Sequence, residues 1–253
     1  MKIATYNVRV DTDYDKQWCW FYRKEHVIDL IQYHDWDLFG VQEVRPNQIK
    51  DLQQLGAYAV LVAEREGDGQ GEGLGIFYKK ETFTMIDSGF FWLSETPEKR
   101  SIHPEAGCPR IALWGIFKEK HSEKIFLMIN IHLDHLSAKA REEGLQIVLT
   151  ELSPKIEHYP TIILGDFNAE HTEATHHLLV DFLEVKRDDH SVHYGPFGTF
   201  QDFDYERQWQ DLEELDYIYT KDIFIKKTAV LTDSWNCRYP ADHFPLVAEI
   251  FIK

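Results

Sequence analysis

The stretch Thr161-Ile162-Ile163-Leu164-Gly165-Asp166-Phe167-Asn168-Ala169 decides how this chain folds, because a short apolar run stops abruptly at a polar turn. A run of that length bounded by a turn signal reads as a buried strand. Three other stretches are built the same way. Ile3-Ala4-Thr5-Tyr6-Asn7 ends on an amide, Val41-Gln42-Glu43-Val44 on a carboxylate, and Ile129-Asn130-Ile131-His132-Leu133-Asp134-His135 on a histidine-rich turn. A scaffold of such strands can present Asn7, Glu43, His132 and Asp166 at one rim. A further polar turn, Tyr239-Pro240-Ala241-Asp242-His243-Phe244-Pro245, stands just before the last strand.

Working outward, β-branched and aromatic runs predict strands at Ile3–Val8, Leu38–Val41, Ala57–Val62, Leu74–Tyr78, Phe83–Leu93, Ile111–Phe117 and Ile125–Leu133, then at Thr161–Leu164, Leu215–Tyr219, Ile223–Leu231 and Leu246–Ile252. Helical spacing predicts helices over Trp20–Tyr33 and Ala138–Ile156, with shorter ones at Pro46–Leu55 and Glu170–Phe182. Glu64–Gly73, Ser94–Pro109 and Asp188–Gly198, rich in Gly, Pro or charge, read as loops. Strands and helices do not alternate strictly, which favours two packed sheets covered by helices over a doubly wound parallel sheet. No repeat, low-complexity tract or linker interrupts the 253 residues, so a single domain over 1–253 is expected.

Lysine and arginine number 27 against 43 acidic residues, a formal charge of -16. Such a field disfavours long duplex nucleic acid and leaves small phosphoesters or short nucleic acids as the better partners. The first residues carry no apolar signal region, and no run is long enough for membrane insertion. A cytoplasmic protein with no obligate protein partner is the expectation. Cys19, Cys108 and Cys237 are odd in number and widely spaced, which argues against a disulfide framework and a thiolate zinc site.

The polar turns carry the chemistry. Magnesium takes oxygen ligands, commonly one or two carboxylates with substrate oxygens, and Glu43 beside Asn7 suits it. Hydrolysis of a phosphate ester also needs an activated water and donors for the phosphoryl oxygens, roles that Asp, Asn, His and Arg side chains can fill. Taken singly, each motif reads equally well as a capped helix start or a surface turn.

Taken in order, the pieces Thr5-Tyr6-Asn7-Val8-Arg9, Gln42-Glu43, Asn130-Ile131-His132-Leu133-Asp134-His135, Gly165-Asp166-Phe167-Asn168, Leu215-Asp216-Tyr217-Ile218 and Asp242-His243-Phe244-Pro245 resemble the endonuclease/exonuclease/phosphatase superfamily. Trp92-Leu93-Ser94-Glu95-Thr96-Pro97, Pro109-Arg110 and His132–His135 are similar to its compact bacterial branch. The resemblance implies an α/β (α+β) four-layer sandwich of two mainly antiparallel sheets flanked by helices, as in DNase I. It implies a metal-dependent phosphoesterase using Mg2+, with Mn2+ as a substitute.

At matching positions, Glu43 would be the principal metal ligand, supported by Asn7 and Asp242. Asp166 would orient or deprotonate the attacking water, and Asn168 and His132 would donate to the phosphoryl oxygens. Asp216 would orient His243, and Arg110 and Arg23 would contact substrate. Ala241 stands where the family commonly has Ser, and Ile131 where it commonly has Thr. The bond could be a phosphodiester or a phosphomonoester. The rival reading is a non-catalytic phosphate-binding or interaction module that kept the fold. A zinc site from His171, His176, His177 and Asp181 lacks a recognised ligand spacing, and Trp18, Trp20, Phe21 and Tyr22 read as core before they read as a base-stacking surface.

Overall fold

A computed structural model describes residues 1–188 and 190–252. The first sheet contains β1 (Lys2–Asn7), β2 (Leu38–Val44), β3 (Tyr58–Glu64) and β4 (Gly73–Lys79). The second contains β5 (Phe83–Trp92), β6 (Ile111–Glu119), β7 (Ile125–His132), β8 (Thr161–Asp166) and the two-residue β9 (Leu183–Glu184). Later segments complete both: β10 (Val192–Tyr194), β12 (Ile223–Val230) and β13 (Leu246–Ile252) join the first sheet, and β11 (Asp216–Lys221) the second. The orders are β10-β12-β13-β1-β2-β4-β3 and β5-β6-β7-β8-β11-β9.

Most pairings are antiparallel, as expected, but β1–β2 and β7–β8 at the heart of the sheets are parallel. A parallel pair needs a crossover. The predicted helices supply it: α1 (Trp20–His34) links β1 to β2, and α3 (Ala138–Glu151) with α4 (Ser153–His158) links β7 to β8. The stretch predicted as one helix over Ala138–Ile156 is therefore two. Pro154 lacks the N–H that a continuing helix would use and sits instead in the first turn of α4. The short α2 (Pro46–Leu52) follows β2, and the helix predicted over Glu170–Phe182 shrinks to α5 (Ala174–His177).

Alternation along the strands makes the four layers. Leu127, Ile129 and Ile131 of β7 pack with Leu145, Val148 and Leu152 of the α3–α4 layer. Phe126 and Met128 point the other way and join Ile3, Leu38 and Ile76 between the sheets. Ala4 and Tyr6 of β1 meet Val27 and Ile31 of α1 on the outside. Near the rim the inter-sheet layer turns polar. Gln42 Nε2 donates to Asn130 Oδ1 at 2.8 Å and Thr5 Oγ1 at 3.1 Å, while Asn130 Nδ2 reaches the carbonyls of Val41 and Gly75 at 3.0 and 2.9 Å. A Cβ on Gly40 would come within 2.4 Å of Leu164, so the sheets close tightly just below the polar turns. Among the described residues, no helix is long and apolar enough to cross a membrane.

Candidate active site

Parallel strands send their carboxyl ends the same way, and the two central pairs do so at one rim. Asn7 lies opposite Gln42 across β1–β2, and His132 opposite Asp166 across β7–β8. Gly165 makes the second juxtaposition possible. At φ +145, a Cβ there would sit 1.9 Å from the Ile131 carbonyl oxygen, so only glycine lets β8 close on β7 before the Asp166–Asn168 turn. Glu43 and Asn168 leave their strands through left-handed backbone, at φ 62 and 49.

These turns open into a cleft of about 440 Å³ lined by Glu43, His132, Asp166, Asn168, Asp242 and His243 together with Arg110. Asn7 Nδ2 bridges the halves, donating to Glu43 Oε1 at 3.1 Å and Asp166 Oδ2 at 3.0 Å. Its oxygen accepts from the Arg9 amide at 2.9 Å. Asn7 thus meets both carboxylates through its amide nitrogen and joins the two halves of the rim. Asp166 Oδ1 accepts from the Asn168 backbone at 2.9 Å, and the Asn168 side chain spends one N–H on the Leu133 carbonyl.

The two histidines carry different charges. Burial opposes protonation of His243, but the Asp216 carboxylate, 2.7 Å from Nδ1, outweighs it and holds the imidazolium up to about 10. Burial, with Arg110 and Arg65 nearby, drives His132 well below its ordinary value and keeps it neutral. Their Nε2 atoms lie 3.8 and 3.5 Å from Asp166 Oδ2. Burial pushes the Asp166 carboxyl up to about 7 against the pull of His243, and burial with the Glu43 charge pushes Asp242 to about 6. Glu43 is held low despite burial, chiefly by the Val10 amide at 2.9 Å and Arg9.

The donor set fits a hard divalent cation. Glu43, Asp166 and Asp242 offer only oxygens, and Asp242 Oδ1 is buried without a hydrogen-bond partner. Ligand atoms of Asp166, Asp216 and His243 also lie within 4.8 Å of one another. That grouping is weaker, because the imidazole is engaged by Asp216 and carries a proton, and a protonated ring is no ligand.

Arg23 is not in the cleft. It is buried under the site, where its guanidinium donates to the carbonyls of Trp18 at 2.8 Å, Arg9 at 2.6 Å, Pro240 at 3.2 Å and Val8. The substrate contact expected of Arg23 therefore gives way to a structural one, tying the turn after β1 to the turn that carries Asp242 and His243. Arg110 does line the cleft, with Nη2 3.1 Å from His135 Nδ1. The sequence reading missed Arg9, which pairs with Asp15 and lies 3.6 Å from Asp242, and Arg65, which shares the cleft with Arg110. Arg9 sits two residues after Asn7, a proximity that could have flagged it; Arg65 lies at the edge of a loop with no comparable signal.

Of the histidine cluster, His176 is buried between Tyr219 OH at 2.9 Å and the Ala169 carbonyl at 3.2 Å, so it is not on an exposed helix surface. His171 lies 3.2 Å from Glu214. Trp20 is buried, with Nε1 on Asp51, while Trp18 stacks on Phe203 and Phe21 and Tyr22 are exposed.

A family model described as the Endonuclease/Exonuclease/phosphatase family matches residues 4–243. The chain belongs to that family. Members of the family hydrolyse phosphoesters and generally use a divalent metal. A crystal structure of a functionally unknown conserved protein from Enterococcus faecalis V583 is 57% identical over the full length of both chains, with a TM-score of 0.97. A mannosyl-6-phosphatase from Bacteroides thetaiotaomicron VPI-5482 is 32% identical, again over all of both chains, with a TM-score of 0.93. An uncharacterized protein of Acanthamoeba polyphaga mimivirus is 28% identical over 183 residues, covering 67% of this chain and 68% of that one.

Proposed function

We propose that the chain, acting as one catalytic domain over 1–253, is a magnesium-dependent hydrolase of small phosphoesters. The observation that carries this reading is the meeting of Glu43, Asp166, Asp242 and the Asp216–His243 pair in one cleft. Glu43 would be the principal metal ligand, supported by Asn7 and Asp242. The metal would supply positive charge at the phosphoryl oxygens.

Asp166 holds the attacking water in line with phosphorus and accepts its proton as the new P–O bond forms; the ester P–O bond breaks and the alcohol departs, its oxygen taking up a proton from water. His243, charged through Asp216, and the free N–H of Asn168 stabilise the negative charge gathering on the phosphoryl oxygens. His132 is neutral, so it acts as a hydrogen-bond donor without adding a charge. Arg110 contacts the phosphate. A sugar phosphate is the first substrate to test, since a full-length relative is named as a mannosyl-6-phosphatase. Three unpaired cysteines suit a reducing, cytoplasmic setting.

Purified protein should hydrolyse members of a panel of sugar phosphates, nucleotides and artificial esters with magnesium or manganese and lose activity in chelator. Folded Asp166→Ala and His243→Ala variants that turn over as fast as the parent would remove the assignment.

A further inference from the structure

We propose that Arg65 joins Arg110 in a guanidinium clamp on the wall of the cleft that grips a terminal phosphate, so that phosphomonoesters are favoured over phosphodiesters. The proposal rests on the phosphoesterase reading and adds to it a residue and a substrate class.

Both arginines line the cleft beside Glu43 and His132, and they come from different sheets: Arg65 directly follows β3 of the first, and Arg110 directly precedes β6 of the second. Their backbones are held. The Arg65 amide donates to the Glu72 carbonyl at 2.9 Å, and its own carbonyl accepts from Trp92 Nε1 at 2.8 Å. The Arg110 carbonyl accepts from the Leu93 amide at 2.8 Å. Trp92 and Leu93 of the Trp92–Pro97 segment thus fix the place of both.

Arg65 Nη1 and Arg110 Nη2 have partners in Glu72 and His135, but the Nε of each lacks an acceptor. Nε of Arg65 and Nε of Arg110 are each buried with no hydrogen-bond partner, and Arg110 as a whole is only 7% exposed. Arg65 Nη1 pairs with Glu72 at 3.0 Å, but Glu66 stands 3.5 Å from Nε without hydrogen-bond alignment. Asp134 is 4.0 Å from Arg110 Nε, too far to satisfy it. A buried donor without a partner is costly, and a guanidinium is shaped to meet two oxygens of a phosphate. The two guanidiniums, beside Glu43 and His132, place fixed positive charge on this wall of the cleft.

That field selects by charge. A diester presents two non-bridging oxygens and one negative charge; a terminal monoester presents three and nearly two. A terminal monoester thus offers the arginine wall one more oxygen than a diester does. In a chain of formal charge -16, a local pair of cations is also what admits a dianion to the cleft.

The test is calorimetric binding of inorganic phosphate and of dimethyl phosphate to the full chain with magnesium, for the wild type, Arg65→Gln and Arg65→Lys, with thermal melts to establish folding. The wild type should bind phosphate at least about tenfold more tightly than dimethyl phosphate, in line with a charge-assisted hydrogen bond. Arg65→Gln should remove most of that preference, and Arg65→Lys, which keeps the charge without the fork, should restore part of it. Equal affinities in the wild type, or an undiminished preference in folded Arg65→Gln, would overturn the clamp. Should Arg65→Gln fail to fold, the wild-type comparison still decides. Turnover of p-nitrophenyl phosphate against bis-p-nitrophenyl phosphate separates the two readings: a wild type that hydrolyses neither, nor any other ester, sinks the enzyme reading while the binding ratio judges the clamp.

Discussion

The units β1–α1–β2 and β7–α3–α4–β8 are built alike and give their carboxylates different proton affinities. Each is a parallel strand pair joined by helix, and each ends at the same rim, the first with Asn7 and Glu43, the second with His132 and Asp166. In the first, the Val10 amide and Arg9 keep Glu43 ionised even though it is partly buried. In the second, Gly165 draws β8 against β7, and burial lifts Asp166 to about 7. Geometry is set by the shared unit, and protonation by what the adjoining loop places beside it. An ionised carboxylate suits a cation, and one poised near neutrality suits a base.

The sharpest way to break this contrast is to neutralise each carboxylate. Asp166→Asn should lower kcat by about 10²- to 10⁴-fold at any magnesium concentration. Glu43→Gln should instead raise the magnesium needed for half-maximal rate, with part of the activity recovered at high metal. Identical responses of the two variants in a magnesium titration would erase the division of labour.

Gly165→Ala tests how the second unit is assembled. The added Cβ must displace the Ile131 carbonyl, and urea unfolding should register a loss of about 3 kcal/mol or more. A loss within about 0.5 kcal/mol, the range of ordinary surface changes, would mean the strands can part there at little cost.

Asn130→Leu probes the amide layer that joins the two units. It removes donors from the Val41 and Gly75 carbonyls and an acceptor from Gln42, for an expected loss of about 2 kcal/mol in the same assay. Unchanged stability would show that apolar packing serves equally well between these sheets.

The smallest effect concerns His176, packed against Phe167 behind the second unit. Burial lowers its pKa to about 4 from the ordinary 6.5, so the unfolded chain takes up the proton first as pH falls. Stability is therefore lost between about pH 6.5 and 4, by roughly 1 kcal/mol at about pH 5.5. Comparing wild type with His176→Gln across that range should show the difference shrinking in the variant; parallel curves would assign the acid sensitivity elsewhere.

Strands ending on Asn7, Glu43, His132 and Asp166 were legible because buried strands leave a strong apolar run and a sharp polar stop. Helix lengths were less so: the break at Pro154 and the short α5 depend on where the chain meets the sheet. Asp216 entered through the family motif, and its 2.7 Å contact with His243 comes from elements 27 residues apart. Arg23 and Arg65 exchanged roles for a simple reason. A sequence names a guanidinium but not the carbonyls or carboxylates around it.

The sequence by itself determined the layered strand-and-helix architecture, the family and the residue types at the rim, since hydrophobic period and polar stops are local properties of the chain. Only the tertiary structure decided which way Asn7 turns its amide, that Arg23 braces two loops from below, and that His132 is neutral while His243 is charged. Those outcomes depend on burial and on partners brought from distant segments, and neither is a property of any residue alone.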